Sequence, residues 1–162
     1  MINLQYSFIF VMSLLLLTAC SDDDTQSCPE TEIVSMKING ELMQFDVNGR
    51  GIDLDSDGSG HTLSLKLSTG VFQPQQNSYA ITLKLPYKAT GANIIEEFDY
   101  FRVQNATSSE IDFVSQGELE SSIRVNINSC FSATFSGSAI VNGNEIIITD
   151  GIIKHAYDDP FD

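Results

Sequence analysis

The chain has 162 residues, with 22 acidic and 8 basic side chains and a formal net charge of −14. That balance excludes a nucleic-acid surface and adhesion to anionic lipid headgroups, because both require clustered positive charge. Once a short N-terminal apolar segment is set aside, the length suits one domain with a real hydrophobic core.

Residues Phe8 to Leu17 form an apolar run interrupted by Ser13. A membrane-spanning helix needs about 20 apolar residues, so this run suits the apolar core of a secretory signal. Leu17-Thr18-Ala19-Cys20 follows, with small residues ahead of a cysteine, and then Ser21-Asp22-Asp23-Asp24. The arrangement resembles a lipoprotein signal, although Met1 to Ser7 carries no Lys or Arg. The resemblance implies cleavage before Cys20 and lipidation of that residue. Two or more acyl chains hold a protein on a bilayer stably, where one chain holds it only marginally. Residues 1–19 thus read as a signal peptide and 20–31, which contain Pro29, as a lipidated acidic tether. The competing reading is an ordinary signal cut without lipidation. Like charges in the acidic run keep a linker extended.

Three cysteines are present. Lipidation of Cys20 leaves Cys28 and Cys130, a candidate disulfide in an oxidising compartment. It would close a loop of about 100 residues, worth up to ~4.7 kcal/mol in the chain-entropy model. Two separate thiols are the alternative, because spacing alone does not bring the two Cα atoms together.

From Glu32 the hydrophobic period is mostly two. Val34, Met36 and Ile38 alternate with polar residues up to Asn39-Gly40, a strong two-residue hairpin signal. Glu41 to Val47 reads as the returning strand, and the glycine-rich Asn48 to His61 as a loop. Leu63, Leu65 and Leu67 alternate in the next strand, and Ile81, Leu83 and Leu85 in the one after, which Pro86 ends. Tyr87 to Asn93 is a connection, and Ile94 to Phe98 is read as a single helical turn. Tyr100 to Gln104 and Glu110 to Ser115 form a hairpin around Asn105-Ala106-Thr107. Leu119, Ser121, Ile123, Val125 and Ile127 then share the inward face of a long strand. Phe131, Ala133, Phe135 and Gly137 repeat the pattern, and Asn142-Gly143 marks another hairpin. Gly151 interrupts the last strand and predicts a bulge or bend. Residues 158–162 read as an acidic tail that frays.

These elements predict an all-β domain over 32–157, an antiparallel β-sandwich or flattened β-barrel of about eight to ten strands. The domain resembles the short β-rich lipoproteins of Bacteroidetes-type bacteria. Ile38-Asn39-Gly40, the stretch Phe131 to Gly137 and Ile148-Thr149-Asp150-Gly151 carry the likeness, together with the cysteine and its acidic run. In that group such a run implies transport to the outer face of the outer membrane.

Candidate chemistry is sparse. Asp53-Leu54-Asp55-Ser56-Asp57-Gly58 matches the opening of a calcium loop, with Asp53, Asp55 and Asp57 as ligands. Ser64 stands where an EF-hand needs a bidentate Glu, and Asp, Ser and Gly also dominate ordinary turns. His61 and His155 lack metal-site spacing. The pairs Glu96/Glu97, Glu110/Asp112 and Glu118/Glu120 read as solvated strand faces rather than acid–base dyads. No nucleophile signature is present. Tyr79, Tyr87, Tyr100 and Tyr157 are candidates for a sugar-stacking surface. The sequence therefore favours a non-enzymatic, lipid-anchored domain at the outer membrane, exposed on the cell surface, that binds a protein or glycan partner or acts as a structural accessory. The alternative is a lipocalin-like carrier of a small apolar ligand, which needs a barrel with an empty interior.

Overall fold

In a computed structural model, residues 26–54, 60–70, 78–104, 107–141 and 143–161 are described. They form eleven strands and one helical turn: β1 (Ile33–Ile38), β2 (Glu41–Gln44), β3 (Asp46–Leu54), β4 (His61–Ser68), β5 (Ser78–Pro86), β6 (Gly91–Ala92), β7 (Glu97–Gln104), β8 (Thr107–Asp112), α1 (Phe113–Gln116), β9 (Gly117–Ile127), β10 (Cys130–Val141) and β11 (Asn144–Ala156). One antiparallel sheet has the order β2-β1-β11-β10-β9-β6, and the other β3-β4-β5-β7-β8. The two pack face to face as an all-β sandwich.

The period-two pattern builds this core directly. Val34, Met36 and Ile38 of β1, Phe131, Ala133 and Phe135 of β10, and Ile148 and Ile153 of β11 are buried on one inner face. Leu63, Leu65, Leu67, Ile81, Leu83, Leu85, Phe98 and Tyr100 are buried on the other. Phe98 meets Phe135 across the gap at a centroid distance of 5.1 Å. Met36, Leu63, Leu65, Ile81, Leu83 and Leu85 are each 1 % exposed or less, so the middle of the sandwich is filled by side chains. This leaves no central calyx of the lipocalin kind among the described residues.

Asn39 (φ 51°) and Gly40 (φ 83°) make the β1–β2 turn, as their dipeptide predicts. The expected single strand Glu41 to Val47 is instead divided. β2 pairs with β1, the Phe45 amide donates to the Val34 carbonyl at 2.9 Å, and the chain then crosses into the other sheet as β3. The expected loop after Asn48 is also corrected, because β3 runs through Leu54 as an edge strand. Gly49 lies where the β3–β4 register shifts, so its glycine content marks an irregular edge rather than a loop.

Three further expectations change. Ile94 to Glu96 form no helical turn, and β7 starts at Glu97. The expected strand Glu110 to Ser115 ends at Asp112, which caps α1: its Oδ1 accepts from the amides of Val114 at 2.9 Å and Ser115 at 3.1 Å. In β9 the register against β10 shifts at Arg124. Beyond this bulge the faces exchange, so Asn126 is buried while Val125 and Ile127 are half-buried. The Asn126 amide donates to the carbonyls of Pro86 and Ala89, each at 3.0 Å, and so satisfies the turn that follows β5.

The bulge predicted at Gly151 is present. Asp150 takes φ 52°, and its carboxylate meets the Lys37 ammonium at 2.8 Å. A Cβ on Gly151 would sit 2.5 Å from the Phe135 ring, so the glycine makes room for a core aromatic. The C-terminal residues through 161 are docked rather than frayed. The Arg50 guanidinium lies 4.6 Å from the Tyr157 ring centroid and 4.5 Å from that of Phe161, and it donates to the Asp159 carbonyl. Asn128 Nδ2 donates to the Phe161 carbonyl at 3.0 Å. This aromatic clasp ties the chain end to β3 of the opposite sheet.

Candidate functional site

The residues singled out in the sequence fall in separate places. Cys20, Asp55 and Asp57 lie outside the described residues. Asp53 is exposed on edge strand β3. No grouping of three or more His, Cys, Asp or Glu side chains suited to a metal occurs among the described residues. Cys28 and Cys130 form a disulfide with Cα atoms 5.6 Å apart. It fastens the segment before β1 to the start of β10. His61 is exposed on β4, and His155 pairs through Nδ1 with the Glu32 carboxylate.

Most of the paired carboxylates sit on outer strand faces, and Glu96 is exposed just ahead of β7. Glu97 bonds Lys84 at 2.7 Å, and Asp112 serves as the α1 cap. Asp99 is pushed up to about 6, first by lost solvation, then by its hydrogen bond and charge repulsion with Glu97, then by Asp112 and Glu110. Glu120 lines a shallow concavity on the outer face of the six-stranded sheet, while Glu97, Asp99, Glu110 and Asp112 neighbour one another across β7 and β8.

The four tyrosines divide between the two ends of the sandwich. Tyr87 and Tyr157 both pack on Phe161 in the clasp, with centroid distances of 5.8 and 5.3 Å. Tyr79 and Tyr100 stack at the other end, 6.1 Å apart with 17° between ring planes. Tyr100 is buried, and lost solvation raises its phenol, so it stays neutral. Tyr79 is half-buried.

Beside this stacked pair the two sheets part and leave a cleft. Register places it: Tyr79 lies opposite Arg102 and Arg102 opposite Ser109, one row nearer the end than Ile81, Tyr100 and Ile111. The facing sheet contributes the β1–β2 turn and the start of β11. An inner compartment of about 190 Å³ is lined by Ile38, Met43, Tyr79 and Tyr100, with Glu41 at its rim. An adjoining one of about 400 Å³ is lined by Ser109, Ile111, Asn144 and Glu145. Asn39, Arg102 and Ile146 border both compartments. Asn39 is held in place by Ile147, whose amide donates to its Oδ1 at 2.9 Å and whose carbonyl accepts from its backbone amide at 2.8 Å. An apolar floor with a few converging polar groups is the usual composition of a ligand site.

No protein-family model, curated protein or solved structure matches the chain. The cleft therefore stands on its own chemistry. A second concavity of about 710 Å³ on the outer face of the six-stranded sheet is wide and shallow, with Ser122, Thr134, Ser136 and Thr149 in its lining. It lacks an enclosing wall and an exposed ring. Arg102, Asn39 and Glu145 were not legible as site residues, because their meeting depends on pairings more than a hundred residues apart in the case of Asn39 and Ile147. The tyrosines did carry a signal, although only Tyr79 and Tyr100 border the cleft.

Proposed function

We propose that this chain is a lipoprotein, anchored at the outer membrane through Cys20 and exposed on the cell surface, whose β-sandwich is a non-enzymatic binding domain. The observation that carries the reading is the use of the cysteines. Cys28 and Cys130 bridge each other, so Cys20 is left over directly behind an apolar run and small residues. A left-over cysteine in an exported chain needs its own chemistry, and lipidation supplies it. Seven residues then separate the anchor from the stapled domain, a leash of at most about 25 Å when extended. The dispersed carboxylates and the filled core favour binding over catalysis.

Expression in a Bacteroidetes-type host with an alkyne-tagged fatty acid tests the anchor. The full chain is expected to carry the label and to enter the detergent phase on partitioning. Cys20→Ser is expected to lose the label and leave the membrane. A labelled Cys20→Ser chain, or an unlabelled wild type, would remove the reading.

A further inference from the structure

We infer that the free edge of β8 takes up an extended, basic segment of a partner polypeptide as an added strand; this rests on the reading of the domain as a binding module and names the class of its partner. β8 ends the five-stranded sheet, and among the described residues no strand pairs with its far side. Alternate residues of such a strand turn their amide and carbonyl away from the neighbour, where an incoming chain can bond to both. The other sheet edges suit this less. β2 has four residues and β6 two. β3 carries a register shift at Gly49, and its Arg50 is engaged by the chain end. Short strands and bulges are usual ways of protecting an edge. β8 has neither: its six residues pair with β7 in unbroken register, from Thr107 opposite Gln104 to Asp112 opposite Asp99.

Charge selects the occupant. Ile111 is buried on the inner face, so Ser108, Glu110 and Asp112 lie along the outer face of β8. Glu110 is exposed. On β7, Phe98 is buried, so Glu97 and Asp99 share that outer face. Carboxylates from two strands thus gather beside the open edge. Lys84 bonds Glu97 at 2.7 Å and offsets one of them. Lys66 lies opposite Thr82, and Thr82 opposite Asp99, which places this ammonium stem two strands away, about 10 Å. Crowding is felt at Asp99, whose carboxyl is pushed up to about 6 by lost solvation and by Glu97, with Asp112 and Glu110 adding repulsion. The Ser115 hydroxyl bonded to Asp112 holds that carboxyl below its usual range, so its charge persists. An acidic strand, or the same edge of a second copy, would set like charges opposite one another. A chain of net charge −14 draws basic partners from solution instead.

The pleat fixes the spacing. Side chains directly opposite across an antiparallel pair lie about 4.5–5.5 Å apart, and diagonal neighbours remain within reach of long side chains. Lys or Arg at every second position of the incoming strand therefore meets Glu110 and Asp112 and extends toward Asp99. The intervening residues fall on the inner side, beside Ser109 and Ile111, where uncharged side chains fit.

The test uses the full chain in a nonionic detergent, with labelled ten-residue peptides read by fluorescence anisotropy. One peptide alternates Lys with Thr. Two further copies are N-methylated, one on the Lys amides and the other on the Thr amides. A fourth has Glu in place of each Lys. Saturable binding of the alternating basic peptide is expected, with none by the Glu peptide. One methylated copy is expected to lose binding and the other to keep it, because an edge strand bonds through every second amide. Glu110→Lys is expected to weaken binding by about tenfold or more, since it sets like charges together. Glu120→Lys makes the same change of charge on the other sheet and is expected to bind as wild type. Absence of saturable binding by the basic peptide would overturn the inference. So would equal behaviour of the two methylated copies, or a folded Glu110→Lys chain that binds as wild type. A chain that binds the peptide but is unlabelled at Cys20 would remove the anchor alone, and a labelled chain that ignores every basic peptide would remove the added strand alone.

Discussion

Asp99 is a residue whose environment works against its charge. Its carboxyl is raised from 3.8 to about 6 by lost solvation and by Glu97, with Asp112 and Glu110 adding repulsion. The folded chain therefore holds this proton more tightly than the unfolded chain. The resulting stability is fully present below about pH 4 and is lost as pH rises through about 6. Asp99→Asn is expected to raise the thermal midpoint at pH 7 and to leave it nearly unchanged at pH 4. Equal midpoints for the two proteins at pH 7 would contradict this. Sequence showed the acidic residues of β7 and β8 but not their repulsion, because Asp99 and Asp112 face each other only through strand pairing. Gly151 was legible for the opposite reason: a glycine within an apolar alternation marks a bulge locally, and here it makes room for the Phe135 ring.

At the scale of elements, clean alternation was sufficient to place β1, β4, β5 and the start of β9, since each presents one apolar face to the core. It failed where the backbone adds a residue or changes sheet. The bulge at Arg124 turns Asn126 inward, and the corner at Phe45 sends one apparent strand into two sheets. Neither event leaves a period that a local reading detects. The C-terminal clasp was hidden as well, because an acidic tail with one aromatic reads as solvated until Arg50 is placed beside it. Arg50→Ala is expected to lower unfolding stability by about 1–2 kcal/mol, the range of cation–π contacts that are partly desolvated. Arg50→Lys is expected to recover only part of the loss, because an ammonium lacks the planar guanidinium that lies between two rings. Urea unfolding measures both. A variant Arg50→Ala as stable as wild type would mean that the clasp contributes nothing.

For the whole molecule, fold class followed from spacing and composition, while the cleft did not. Asn39, Tyr79, Arg102 and Glu145 come from a turn and three strands distant in sequence and meet only when the two sheets stack. The disulfide gives the domain a polarity, with the Cys28 staple near the aromatic clasp at one end and the cleft at the other. In the proposed arrangement the acidic leash and the staple hold one end near the bilayer while the other end points away from it. In this proposal, orientation and cellular placement both depend on the anchor at Cys20. Mass spectrometry of the N-terminal peptide from the membrane-extracted protein tests it most directly. The mature chain is expected to begin at Cys20 and to carry a diacylglyceryl thioether and an N-linked acyl chain. A mature chain with unmodified Cys20, or one still beginning at Met1, would contradict it.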